Sequence, residues 1–142
     1  MNVSQALKKK NKLAIELKKQ YAIAQKFNSQ EAGNPRRYSV QDALDKAAEI
    51  TAELIDLKTK IHLANAPVYD LIFQMSELKN QIKQLKSIPV DEGKVTERYG
   101  SVTAIKEVEL NIAERDNLVK VLENKIEVIQ DKLDTHNAIT EL

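Results

Sequence analysis

The sequence predicts an all-α protein, an antiparallel helical bundle or coiled coil of three to four helices, with a short β-hairpin or loop before the last helix. Two observations support this fold class. Apolar residues recur at alternating spacings of three and four, which draws one narrow stripe along an α-helix. Aromatic residues make up only 4% of the 142 residues, and glycine and proline number three each. Such a composition is typical of helices joined along aliphatic stripes.

The apolar rhythm covers three segments, from Val40 to Val68, from Leu71 to Leu85 and from Ile105 to Leu133. A stripe this narrow buries less surface per residue than a globular core does, so we expect other copies of the chain to supply the missing burial. The sequence therefore predicts a homo-oligomer. The stripe uses two positions of a seven-residue repeat, and Ala, Ile and Leu are mixed at both. Such a mixture is compatible with several oligomer sizes.

The four helices are predicted to form one domain, residues 1–142. Gly33, Asn34 and Pro35 interrupt the helical pattern after the first helix. Ser39 is a suitable N-cap for the second, with Asp42 three residues later as a short capping box. The predicted helices cover about 4–27, 39–65, 68–86 and 104–137, separated by loops at 28–38 and 87–103.

Two of the connections leave alternatives open. Pro67 either kinks a continuous helix, since the stripe keeps its register across it, or marks a chain reversal in which it opens the third helix; we favour the break. In the segment before the last helix, Asp91-Glu92-Gly93 is a turn signal between Val90 and Val95. It indicates a short β-hairpin or an ordered loop.

The residue inventory argues against an enzyme and against a bound metal or cofactor. Cysteine is absent, and the two histidines, His62 and His136, each lie near a predicted helix end beside an asparagine. They fit polar residues at a stripe edge better than metal ligands, which must converge in larger number. No nucleophile elbow or glycine-rich phosphate loop occurs.

Charge and hydropathy bear on partners and location. The chain has no apolar run that could span a bilayer, and we expect a cytoplasmic protein. The first 39 residues hold nine of the 22 Lys and Arg and two of the 21 Asp and Glu. This asymmetry favours docking of helix 1 on its own neighbours, with an anionic partner as the alternative. Nucleic-acid binding by Lys8, Lys9, Lys10 and Lys12 is the weakest hypothesis, because arginines and aromatics are few.

The four arginines are the most informative polar residues in a chain that otherwise uses lysine. Three of them lie next to tyrosines in the predicted loops, and arginine grips phosphate or carboxylate in bidentate fashion. If both loops meet, they form a pocket for a small anion; otherwise the arginines bind carboxylates within the assembly. The candidate ligand-binding residues are Arg36, Arg37, Tyr38, Ser39, Arg98, Tyr99, Ser101 and Arg115.

Arg115 differs from the others because it occupies a stripe position between Ile112 and Val119. A buried arginine is costly unless it is paired. It is predicted either to pair with an acid such as Asp56 or Glu53 on a facing helix, which would fix the register, or to line a ligand site.

Several short motifs resemble a family of short bacterial helical proteins, some of which are labelled septicolysin. They are Ala6-Leu7 followed by Leu13, Asn65-Ala66, Arg98-Tyr99 with Ser101, and Asn137-x-x-Thr140-Glu141-Leu142. In that family the segment before the last helix looks like Arg-Tyr-Ser-Arg-Ser-Glu-Ile-Lys, whereas this chain lacks the second arginine. The resemblance implies a helical fold and carries no activity with it.

Two functions follow as hypotheses. The first is a non-enzymatic, oligomeric coiled-coil scaffold or interaction protein that binds itself and a partner protein. The second is an oligomeric binding protein that captures a small anionic ligand, such as a nucleotide, in an Arg/Tyr-lined pocket.

Overall fold

The computed structural model describes residues 1–96 and 103–142. Over these residues the chain forms four α-helices, and a two-stranded antiparallel hairpin precedes the last one. The prediction of a mostly helical chain with a hairpin before the last helix is confirmed. The elements are α1 (Val3–Phe27), α2 (Val40–Ala64), α3 (Tyr69–Lys86), β1 (Gly93–Thr96), β2 (Thr103–Lys106) and α4 (Ile112–Ile139).

The chain divides into two compact units, the first of which comprises Met1–Val68 with Asp134–Leu142. In this unit α1 and α2 run in opposite directions. Near the start of α1, Ala6 packs against Leu57 and Ile61 of α2, and Leu7 and Leu13 pack onto this cluster. Leu57 and Ile61 lie on the predicted apolar stripe of α2, so burial of this stripe against α1 joins the pair.

The last residues of the chain lie against the first ones in the same unit, in an arrangement that we call the terminal clasp (Met1–Val3 with Ala138–Leu142). The Val3 amide donates to the Thr140 carbonyl at 2.9 Å, and the Leu142 amide donates to the Met1 carbonyl at 3.1 Å. Val3 is fully buried. The clasp therefore fixes the start of α1 by backbone hydrogen bonds as well as by burial.

Asn2 links the clasp to α1. Its Oδ1 accepts a hydrogen bond from the Gln5 amide at 2.8 Å, and the Gln5 side chain accepts one from the Asn2 amide at 3.0 Å. The Asn2 Nδ2 donates to the Ala138 carbonyl at 3.1 Å. Asn2 is therefore an N-cap in a reciprocal capping box and also a bridge between both ends of the unit.

Asn2→Ala is expected to lower the free energy of unfolding by about 1–2 kcal/mol, because an N-cap and a bridging hydrogen bond are both lost. Urea denaturation followed by circular dichroism measures this change. Asn2→Ser is the matched control, since serine keeps the cap and removes only the bridge to Ala138. An equal loss in both variants would contradict the capping role.

Between α2 and α3 the α-helical hydrogen bonding is interrupted. Asn65 is the C-cap of α2, and Ala66–Val68 form one turn of 3-10 helix. Pro67 lies inside that turn and does not open α3, which begins at Tyr69. The interruption agrees with the favoured break in the helix, because proline lacks the amide that a continuous α-helix needs.

The second unit, Tyr69–Leu133, contains α3, the hairpin and most of α4. Among the residues of this unit whose burial the structure describes, Met75, Val119 and Ile129 are the buried apolar ones. The hairpin pairs Gly93 with Lys106 and Thr96 with Thr103. The predicted turn at Asp91-Glu92-Gly93 is therefore wrong: Gly93 starts β1, and its φ of 81° explains the glycine.

The predicted start of the last helix, near Ala104, is also wrong. That position lies in β2, and α4 begins at Ile112. The start is defined by Asn111, whose Oδ1 accepts from the Glu114 amide at 2.8 Å, while Glu114 accepts from the Asn111 amide at 3.3 Å. This second capping box ends the non-helical segment five residues after β2.

Candidate functional site

A polar cleft of about 650 Å³ lies between the C-terminal half of α1 and the first turns of α2. We call it the basic cleft. The loop that joins the two helices contributes Arg37, Tyr38 and Ser39 to the lining, at what we call the loop end of the cleft. The charged side chains that line it are Glu16, Lys19, Lys26, Arg37, Asp42 and Lys46.

Cations outnumber anions in this lining by four to two. The Glu16 carboxylate accepts a hydrogen bond from Nε2 of Gln20 at 2.8 Å, and Gln20 is only 6% exposed. Lys19 and Lys46 have no carboxylate within ion-pairing distance among residues 1–96 and 103–142. The cleft therefore presents uncompensated positive charge to solvent.

Two aromatic rings lie at the loop end of the cleft. The rings of Phe27 and Tyr38 lie 4.7 Å apart between centroids, at an interplanar angle of 45°. The Arg37 guanidinium carbon lies 5.7 Å from the Tyr38 centroid, and the Lys26 Nζ lies 5.4 Å from the Phe27 centroid. Both cations thus sit within the range of cation–π attraction, which places them at the aromatic wall.

Arg36 contacts different groups from Arg37. Its Nη1 donates to the Phe27 carbonyl at 2.5 Å and to the Asn28 carbonyl at 2.9 Å. These are terminal carbonyls of α1 without a partner inside the helix, and a cation is favourable at that end of the helix dipole. Arg36 is therefore the C-terminal cap of α1, and its guanidinium lies outside the lining of the basic cleft.

Ser39 is the N-cap of α2, as the sequence predicts. Its Oγ accepts a hydrogen bond from the Asp42 amide at 3.2 Å. The hydroxyl is thus engaged in capping, and it positions the first turn of α2 at the cleft.

Arg115 lies in the other unit and is partly buried, with 17% of its side chain exposed. Its Nη1 donates to the Ile88 carbonyl at 3.3 Å, and its Nε lies 3.3 Å from the Asp116 carboxylate. The acids suggested as its partners are bound elsewhere within the chain: Asp56 pairs with Lys60, and Glu53 pairs with Lys9. The pairing of Arg115 with one of these acids stays a prediction, and within its own unit Arg115 ties α4 to the segment that follows α3.

Arg98, Tyr99 and Ser101 lie outside the described residues. Of the other predicted site residues, Arg37, Tyr38 and Ser39 share the basic cleft. Lys19, Lys26 and Lys46 also line the cleft and were not among the predicted site residues. The signal that could have found the first two is their seven-residue spacing, which places them on one face of α1.

His136 is held by two polar neighbours in the first unit. Its Nε2 lies 3.2 Å from the Asn65 Oδ1, and its Nδ1 lies 3.1 Å from the Thr140 hydroxyl. These contacts connect the end of α4 to the end of α2. Within the described part of the chain, no group of three or more potential metal ligands comes together, and no helix is long and apolar enough to cross a bilayer.

Comparisons of the chain with protein-family models, with curated proteins and with solved structures returned no match.

Proposed function

We propose that the chain is a non-enzymatic scaffold protein that self-associates through coiled-coil contacts of its helices and presents the resulting assembly to a partner protein. The observation that carries this proposal is a second apolar stripe, exposed to solvent, on a helix of each unit.

The apolar residues of the stripe on α2 are Leu44, Ala48 and Ile55, and half-buried Thr51 occupies the position between Ala48 and Ile55, which gives spacings of four, three and four. It is separate from the buried stripe through Leu57 and Ile61. Ile55 is 63% exposed, and Leu44 lines an open groove together with Tyr21 of α1. This spacing is the one that places residues along a coiled-coil seam.

The stripe on α4 consists of Leu118, Val121 and Val128, with Lys125 at the position between the two valines. All three apolar side chains are about half exposed. Val128 also borders a cleft of about 470 Å³ lined mainly by apolar atoms, to which Leu78 of α3 contributes. A cleft beside an exposed stripe can receive side chains of an added helix as knobs.

The mass of the native assembly tests this proposal. We expect light scattering and native mass spectrometry to give a multiple of the chain mass at micromolar protein. A monomer under both methods, with helical circular dichroism intact, would overturn self-association. If the chain stayed monomeric alone and formed a defined complex only with a different protein, it would be an interaction module that does not self-associate. That result would contradict the proposal.

We also propose that the chain shares the fold of the helical family that it resembles. In support, two residues that carry the resemblance and are distant in sequence share a neighbour: the His136 ring contacts both the Asn65 side chain and the Thr140 hydroxyl. Their positions match a structural role at one end of a helical unit.

A further inference from the structure

We propose that the basic cleft binds a small polyphosphate anion, either a free polyphosphate or the phosphate chain of a nucleotide. All the residues involved belong to one unit of one chain, so this site goes beyond the proposed scaffold function and does not depend on self-association.

The positions of the cations favour a ligand with more than one phosphate. Lys19 and Lys26 are seven residues apart on α1, which separates their Cα atoms by about 10 Å along the helix axis. Lys46 faces them from α2, and Arg37 lies at the loop end. A chain of two or three phosphates can contact more of these cations at once than a single phosphate can.

The balance of charge within the cleft supports the same ligand class. Its two carboxylates, on Glu16 and Asp42, leave a net surplus of two positive charges. Glu16 is already engaged by Gln20. Lysines on facing helices repel each other when no anion is present, so a bound polyanion relieves this repulsion in addition to its direct attraction.

The aromatic wall gives the site a second recognition element. The Tyr38 ring is partly exposed and packs on Phe27, with the Arg37 guanidinium beside it. An aromatic ring and a guanidinium at the end of a cationic channel are suited to stacking a nucleobase whose phosphates extend toward the lysines. We therefore expect nucleoside triphosphates to bind at least as tightly as inorganic tripolyphosphate.

Isothermal titration calorimetry of the purified full chain at an ionic strength of about 0.15 M tests the site, with inorganic tripolyphosphate as the first ligand. Lys19→Gln and Arg37→Gln are each expected to weaken binding about tenfold, since each removes a charge-assisted contact. Lys18→Gln is the matched control, because Lys18 is exposed on α1 outside the cleft lining; its screened charge should change affinity by less than about twofold.

Absence of binding to the wild-type chain would overturn the proposal, and so would equal weakening by Lys18→Gln and Lys19→Gln, which would indicate attraction to net charge alone.

ATP and uncharged adenosine distinguish the two sources of the phosphate chain. Tighter binding of ATP than of tripolyphosphate supports a nucleotide, and equal binding supports a free polyphosphate. Binding of adenosine as tight as that of ATP would contradict a phosphate site. The assembly mass is measured separately, so failure here leaves the scaffold proposal standing.

Discussion

Replacement of Leu57 by alanine is expected to lower the free energy of unfolding by about 3 kcal/mol. Leu57 is only 6% exposed and belongs to the cluster with Ala6 and Ile61 that joins α1 to α2. Truncation removes its apolar contacts and leaves a cavity that two rigid helices cannot fully close. Because buried apolar residues are few in this unit, one such loss is a large fraction of its stability.

Urea denaturation at fixed protein concentration measures this loss. Ile15→Ala is the matched control: it removes a similar amount of hydrocarbon from α1, but Ile15 is 71% exposed, so we expect a change within about 0.5 kcal/mol. If the two variants lost equal stability, the packing of α1 on α2 through this cluster would be contradicted.

The second large effect is expected at the exposed stripe of α2. Ile55→Lys should weaken self-association by about a hundredfold, because an ammonium group would be buried in the proposed interface between copies without a partner. Leu63→Lys is a close control, since Leu63 is on the same helix and 67% exposed, against 63% for Ile55, but lies off the stripe. Sedimentation over a range of protein concentrations measures both dissociation constants.

The two lysine variants should keep the helical content of the wild type, because both side chains are exposed in the single chain. Unchanged association of Ile55→Lys would exclude the α2 stripe from the interface. Equal dissociation of both variants would show that added charge, and not the position of the stripe, controls the assembly.

The sequence predicted the ends of a helix closely where a single residue type fixes the local backbone conformation. Ser39 marks the start of α2 because its hydroxyl can replace the missing helical acceptor for the Asp42 amide. Phe27 ends α1 before a segment of glycine and proline that cannot continue it. Such signals act over three or four residues, so they can be recognised from the sequence alone.

The start of α4 shows where periodicity misled the prediction. Ile105 and Val108 continue the spacing of the last stripe, so the helix was predicted from about residue 104. In the structure Ile105 belongs to a strand, paired with Lys94. Spacing over one turn does not separate helix from strand. The capping signal Asn111-x-x-Glu114 was present in the sequence and marked the correct start.

The candidate site could be predicted only in part, for a related reason. Arg37, Tyr38 and Ser39 are adjacent in sequence, so their proximity required no knowledge of the fold. Nothing local separates Arg36, which caps α1, from Arg37, which lines the cleft. Lys46 enters the same cleft as Lys19 only because of the register in which α1 and α2 pair.

The sequence by itself determined the helical class, the breaks between the helices and the apolar stripes, since all of these depend on backbone preferences and spacing within a few residues. The tertiary structure decided which stripes are buried, how the terminal clasp joins Asn2 to Ala138, and which lysines share a cleft. These features depend on contacts between residues far apart in the chain. Apolar burial is not directional, so the spacing of the stripes does not choose which of them pair, and the complete packing does.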